Sequence, residues 1–131
     1  MPFNSASHPA FWDDMAMSND STYVDAVADV LASHRRRAFL AFLTQELSIA
    51  GRENYPQAGE MDQDARVARF ASLNEAGHVL GAQLASDAGH GTGYPDTAFA
   101  EAFLEKARMY ESDATAVRVC LTRALERTSA D

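Results

Sequence analysis

A chain of 131 residues is the size of one domain and needs no second one. Its hydrophobic content of 47% and charged content of 23% exclude an intrinsically disordered chain. The formal net charge of −8 argues against a nucleic-acid partner, because affinity for a phosphate backbone comes from positive surface that this composition lacks.

Alanine is abundant, isoleucine occurs once, at Ile49, and no stretch keeps a period-2 alternation, so the expected class is all-α. The expected architecture is an antiparallel bundle of long helices in four or five segments, with an irregular arm over residues 1–20 and a single bundle domain over 21–131. There is no run of 18 apolar residues and no basic, apolar leader in MPFNSASHPAFW, so neither a membrane span nor a signal peptide is expected and the cytoplasm is the expected location. Cys120 is the one cysteine, which rules out an intrachain disulfide, and it shares a core face with Val117, Leu121 and Ala124.

The arm carries Phe3, Phe11, Trp12, Met15 and Met17 without a clear period. Side chains of that kind leave an apolar patch unless docked, so Phe11 and Trp12 are candidate binding residues, on the bundle itself or on a neighbouring subunit. Asp20 or Ser21 can cap a helix that starts near Thr22. Tyr23, Val24, Val27, Val30 and Leu31 form its face, whereas the next apolar set, Phe39, Leu40, Phe42, Leu43 and Leu47, is centred about 140° away on a continuous wheel. That rotation predicts a break around Ser33 to Arg37. Arg35, Arg36 and Arg37 are the one basic cluster and, pointing in three directions, are expected to be solvated. Gly51 is expected to end this region, and Pro56 and Gly59 to mark the turn that follows.

Residues 62–86 form the longest periodic stretch, a central helix with Phe70, Leu73, Gly77, Leu80, Gly81 and Leu84 on one face. Ala68, Ala71, Val79 and Ala82 lie on the other side with Glu75, so the helix is expected to be contacted from two sides. Gly77, Gly81 and Ala85 recur every fourth residue, and a close helix crossing is the expected use of residues so small. The helix ends near Gly89, and the glycines at 89, 91 and 93 read as a linker and not a phosphate cradle, for want of a preceding strand or a following Gly-Lys-Ser/Thr. Pro95 suits the start of the last helical region. There Phe99, Phe103, Ala107, Tyr110, Ala114, Val117, Leu121, Ala124 and Thr128 keep one face, which allows a single helix of about 48 Å unless Ser112-Asp113 interrupts it.

Chemistry is sparse. Glu75 and His78 have the Glu-x-x-His spacing that lets a carboxylate and an imidazole reach one metal ion in carboxylate-bridged bundles, and they are candidate metal ligands, with Glu46 and His34 as residues that would complete the set. Asn74 is a candidate binding residue beside them. The five residues His78-Val79-Leu80-Gly81-Ala82 resemble the phosphoacceptor motif of histidine phosphotransfer domains, which are four-helix bundles, and the resemblance implies phosphorelay through His78. No nucleophile elbow, reactive Cys and His pair or facing carboxylate pair is present. The expected function is therefore a non-catalytic interaction or regulatory module, homodimeric, open to a protein partner, without cofactor and without membrane. A metal-binding bundle and a phosphorelay module are the alternatives.

Overall fold

The computed structural model describes residues 20–55, 63–111 and 114–130. The expected arm with Phe11 and Trp12 lies outside these residues. The described residues are all-helical, without strands: α1 (Asp20–Leu31), α2 (Arg36–Asn54), α3 (Gln63–Asp87), α4 (Asp96–Arg108) and α5 (Thr115–Ala130). Among them, no helix is long and apolar enough to cross a membrane.

The helices form an antiparallel bundle in which α2 packs on α5 and α3, α3 on α4, and α4 on α1. All five feed one core, where Val27, Phe39, Leu43, Phe99, Phe103, Val117 and Leu121 are fully buried. The faces expected of α1, α2 and α5 are the ones buried. The chain breaks where the rotated faces required it, since Leu31 ends α1 and Arg36 begins α2. Between them Ser33 Oγ donates to the carbonyl of Val30 at 2.7 Å and accepts the N–H of Arg35 at 3.0 Å. This hydroxyl occupies backbone groups that a continuous helix would have paired with each other.

Gly51, by contrast, does not stop α2, which runs on to Asn54. The stop comes from the next residue but one to the helix end: Tyr55 precedes Pro56, and its extended backbone (φ −65°, ψ 134°) is the conformation a following proline imposes. The region from 96 to 128 is two helices, not one. Ala114, fully buried with φ of 55°, turns the chain into α5, and Glu111 Oε1 accepts the N–H of Ala116 in place of a capping side chain. Both helices face the same core, so their apolar residues stay in register across the break and hide it.

The arginine run is not solvated as expected. The guanidinium of Arg36 pairs in bidentate fashion with Asp87 at the end of α3, both bonds at 2.9 Å, and its Nη1 reaches Asp96 at the start of α4 and the carbonyl of Leu31 at the end of α1. Arg35 donates to the carbonyl of Thr128 in α5, while Arg37 alone is exposed. The three adjacent arginines, one in the turn and two in α2, do point in three directions, and two of those directions meet other helix ends.

At the same end of the bundle α3 stops in a Schellman motif: His90 N–H bonds to Ala85 O at 2.8 Å and Gly89 N–H to Ser86 O at 3.0 Å, with Gly89 at φ 88°. Buried Gln83 then holds the linker, accepting the N–H of Tyr94 at 2.7 Å and donating to its carbonyl at 3.2 Å. The expected linker role of the glycine run is thus what the geometry gives.

The Arg36 contact has a pH signature. Its hydrogen bonds hold the Asp87 carboxyl below the ordinary carboxylate value, and Asp87 in turn raises Arg36. A carboxyl lowered by folding contributes stability above its unfolded value of 3.8, and the contribution is lost as pH falls through the lower folded value. Arg36→Gln should cost about 1 kcal/mol at neutral pH, an amount limited by solvent screening, and should flatten the loss of stability below that value. Denaturant titrations of both proteins between pH 7 and 3 measure it.

Candidate functional site: an open groove between two helices

The inner face of α3 is Ser72, Leu73, Ala76, Val79, Leu80 and Gln83, all buried. The helix is contacted from two sides as expected, by α2 and by α4, but the second contact is not centred on the expected residues: Ala82 is exposed, Ala68 and Ala71 are half-buried, and Val79 alone of that set belongs to the core. The stripe that begins at Phe70 and ends at Leu84 is only partly covered, because α2 meets it along the Leu73 and Leu80 edge and then leaves a groove of about 760 Å³. Leu47 of α2 joins Leu73 and Leu80 at its floor, where all three are buried. Tyr55 stands edge-on to Phe70 at one end, with ring centroids 5.0 Å apart at 86°, and Leu84, 37% exposed, closes the other.

Gly77 and Gly81 form the middle of one wall. Within the described chain the expected close crossing at these positions is absent, since a Cβ at either would meet nothing within 4 Å. They are not small to admit a neighbouring helix of this chain. Their effect is to leave the backbone of α3 bare on the side facing solvent. The contrast is Gly93, where a Cβ would stand 2.7 Å from Cβ of Ser86 and 2.8 Å from Oε1 of Gln83. Close approach of linker and α3 requires glycine there.

The rim is polar and nearly uncharged. Arg52 is the one ionised side chain among the groove residues, and Thr44, Ser48, Asn74 and His78 complete the edge. Across residues 71–85 Glu75 is the sole Asp, Glu, Lys or Arg, in a chain where such residues make up 23%. An outward helix face in a chain of this composition should carry several charges if water were all it met. Volume and apolar lining fall within the range of ligand clefts, roughly 300 to 1,000 Å³.

The sequence-derived candidates are thus partly assembled. Asn74 and His78 lie on the groove's rim. Glu75 sits next to His78, its Oε1 3.8 Å from Nδ1, with the carboxylate 28% and the imidazole 69% exposed. That exposure leaves the imidazole accessible, as either ligation or phosphorelay would require. Glu46 and His34 do not join them. Glu46 is buried on the opposite side of α2, where Arg127 of α5 donates to it at 2.9 Å while stacking over Phe42. His34 is exposed in the turn before α2. Among the described residues no three His, Cys, Asp or Glu side chains gather. Cys120 is buried, and burial pushes its thiol up to about 12, so little thiolate forms at neutral pH.

Sequence reasoning missed Tyr55, Leu47, Ser48 and Arg52, the contributions of α2. Their signal was present as the Leu47, Gly51, Tyr55 spacing, masked by reading Gly51 as a helix stop. No known family, curated protein or solved structure matches the chain.

The glycines make a differential prediction. Gly77→Ala and Gly81→Ala remove helix-interior glycine without a clash, and each should stabilise the isolated chain by about 0.5 to 1 kcal/mol. Gly93→Ala should destabilise it by about 1 to 3 kcal/mol, since Gln83 or the linker has to move. Denaturant midpoints in dilute solution distinguish them.

Proposed function

We propose that this chain is a non-catalytic interaction module of the cytoplasm, and that it works as a homodimer whose second copy docks on the open face of α3. The observation that carries the reading is the groove: a glycine-walled, apolar and almost uncharged stretch of α3 that α2 covers only along one edge. An isologous interface has to suit itself, and the spacing along α3 does. Phe70 lies seven residues before Gly77 and Leu84 seven residues after it, so an antiparallel α3 pair with its two-fold axis at Gly77 sets each Phe70 against the other copy's Leu84. The same operation places each buried Leu73 level with the other copy's Gly81 along the helix axis.

Charge supports a second copy over a strongly charged partner. Two chains of net charge −8 repel in general, and the outward face of α3 is where they meet with fewest charges. Burial of Phe70, Leu84 and Tyr55 supplies the driving force, at about 25 cal/mol per Å² of apolar surface removed from water.

Light scattering across a concentration series tests the reading. A mass twice the 14.2 kDa of one chain is expected. Gly81→Lys and Leu84→Lys each place a charge on the exposed face, and should weaken the dimer by tenfold or more, about 1.4 kcal/mol, with helical circular dichroism unchanged. A wild-type chain that stays monomeric contradicts the proposal and leaves the groove to a different occupant, a small apolar ligand or a helix of another protein.

A further inference from the structure

We infer that residues 11–17 dock against the end of α4 in their own chain, with Met109 and Tyr110 as the surface they cover. This contact concerns a different face from the groove and does not depend on the homodimer reading.

The first observation is an uncovered corner. α4 ends at Arg108, and the two residues that follow it, Met109 and Tyr110, are 59% and 43% exposed. Among the described residues they are the one consecutive pair of large apolar side chains left to water, since Tyr55, Val67, Leu84 and Val119 stand apart in sequence. Their backbone is held. Met109 N–H bonds to Lys106 O at 3.3 Å and Tyr110 N–H to Ala107 O at 3.2 Å, while the carboxylate of Glu111 just beyond accepts from Ser72 of α3 and from the N–H of Ala116 in α5.

The second observation is where the chain enters the bundle. Nη1 of Arg36 reaches both the carbonyl of Leu31 and the carboxylate of Asp96, so the end of α1 lies beside the start of α4, and α1 packs back along α4. At about 1.5 Å per residue, the step from Leu31 back to Asp20 matches the step from Asp96 on to Ala107. Asp20 therefore stands within about 5 Å of Met109 and Tyr110 along the bundle axis. Among the described residues α1 makes no contact with α3, which puts this entry point on the side away from the groove. Met17 precedes Asp20 by three residues and Trp12 by eight. Such spans reach at most about 11 and 28 Å, enough for both to arrive at the corner.

The third is chemical complementarity. Residues 1–19 carry Asp13 and Asp14 and no Lys or Arg, and the two acids stand between Phe11 and Trp12 on one side and Met15 and Met17 on the other. The last turn of α4 carries Lys106, the one lysine of the chain, and Arg108, directly before Met109 and Tyr110. An acidic, aromatic segment thus enters the bundle next to a basic, apolar corner. Thioether and ring surfaces pack well on one another, and opposite charge at the edge of such a contact adds specificity to it. Docked there, the arm covers the end of α4 and leaves the groove free for its own occupant.

Trp12 is the one tryptophan of the chain, so its fluorescence reports on the arm alone. In the full-length protein its emission should lie to the blue of that in urea, with acrylamide quenching several-fold weaker. Met109→Asp and Tyr110→Asp, at exposed positions beyond the end of α4, should each bring both signals close to the urea values with helical circular dichroism unchanged. Lys106→Glu should do so in part, and Leu84→Lys, in the groove, should leave both signals as they are. A Trp12 as accessible in the native chain as in urea overturns the inference. Shielding that survives both substitutions at the corner also overturns it, and its loss in Leu84→Lys then puts the arm in the groove. Shielding lost on dilution marks docking onto another copy and overturns the own-chain contact as well.

Discussion

Two missing Cβ atoms shape the outer surface of this bundle. With glycine at 77 and 81, α3 shows bare backbone to the side that α2 does not reach, and the side chains on either hand, Phe70 and Leu84, stand as the ends of a trough instead of members of a packed seam. A helix interior tolerates such residues at about 0.5 to 1 kcal/mol each. Here no close contact within the described chain offsets that cost. In the proposed dimer the compensation comes from a second α3 crossing at Gly77.

The rest of the fold keeps this face in place. Arg36 ties α2 to the end of α3, the start of α4 and the end of α1, so both walls of the groove are anchored at one end of the bundle. Gln83 and Gly93 press the linker onto the inner side of α3, and the buried phenylalanines of α4 hold that side from beneath. On the far side of α2, the buried Glu46 is satisfied by Arg127, whose guanidinium also covers Phe42. Support on three sides and none on the fourth suits the proposed docking of a second copy with little change of shape.

Much of this was legible in the residues, because apolar periodicity reports directly on burial. The core faces of α1, α2 and α5 and the turn at Ser33 follow from which side chains share an angle. What the sequence could not separate were cases in which one pattern serves two geometries. Glycine at every fourth position describes a tightly crossed helix and an open one equally well, and only the neighbouring chain path distinguishes them. Ala107, Ala114 and Leu121 keep heptad spacing through a break because α4 and α5 face the same core. Arg36 and Gln83 are polar residues whose partners are distant in sequence, Asp87 and Tyr94, so nothing local announces their roles. Glu75 and His78 were visible as a pair; their exposure, and the absence of a third ligand beside them among the described residues, came only with the coordinates.

The two-fold axis at Gly77 is the claim on which the functional account turns, and cysteine cross-linking tests it most directly. A residue on a two-fold axis faces its own copy, so Gly77→Cys should form an intermolecular disulfide under mild oxidation, its Cα atoms lying within the 7 Å that such a bond allows. Cys120 is buried and does not interfere. Thr97→Cys, exposed on α4 away from the proposed axis, is the control. The account predicts rapid, near-complete dimer cross-linking at 77 and little at 97. Equal, slow cross-linking at both positions, or none at 77, would contradict it.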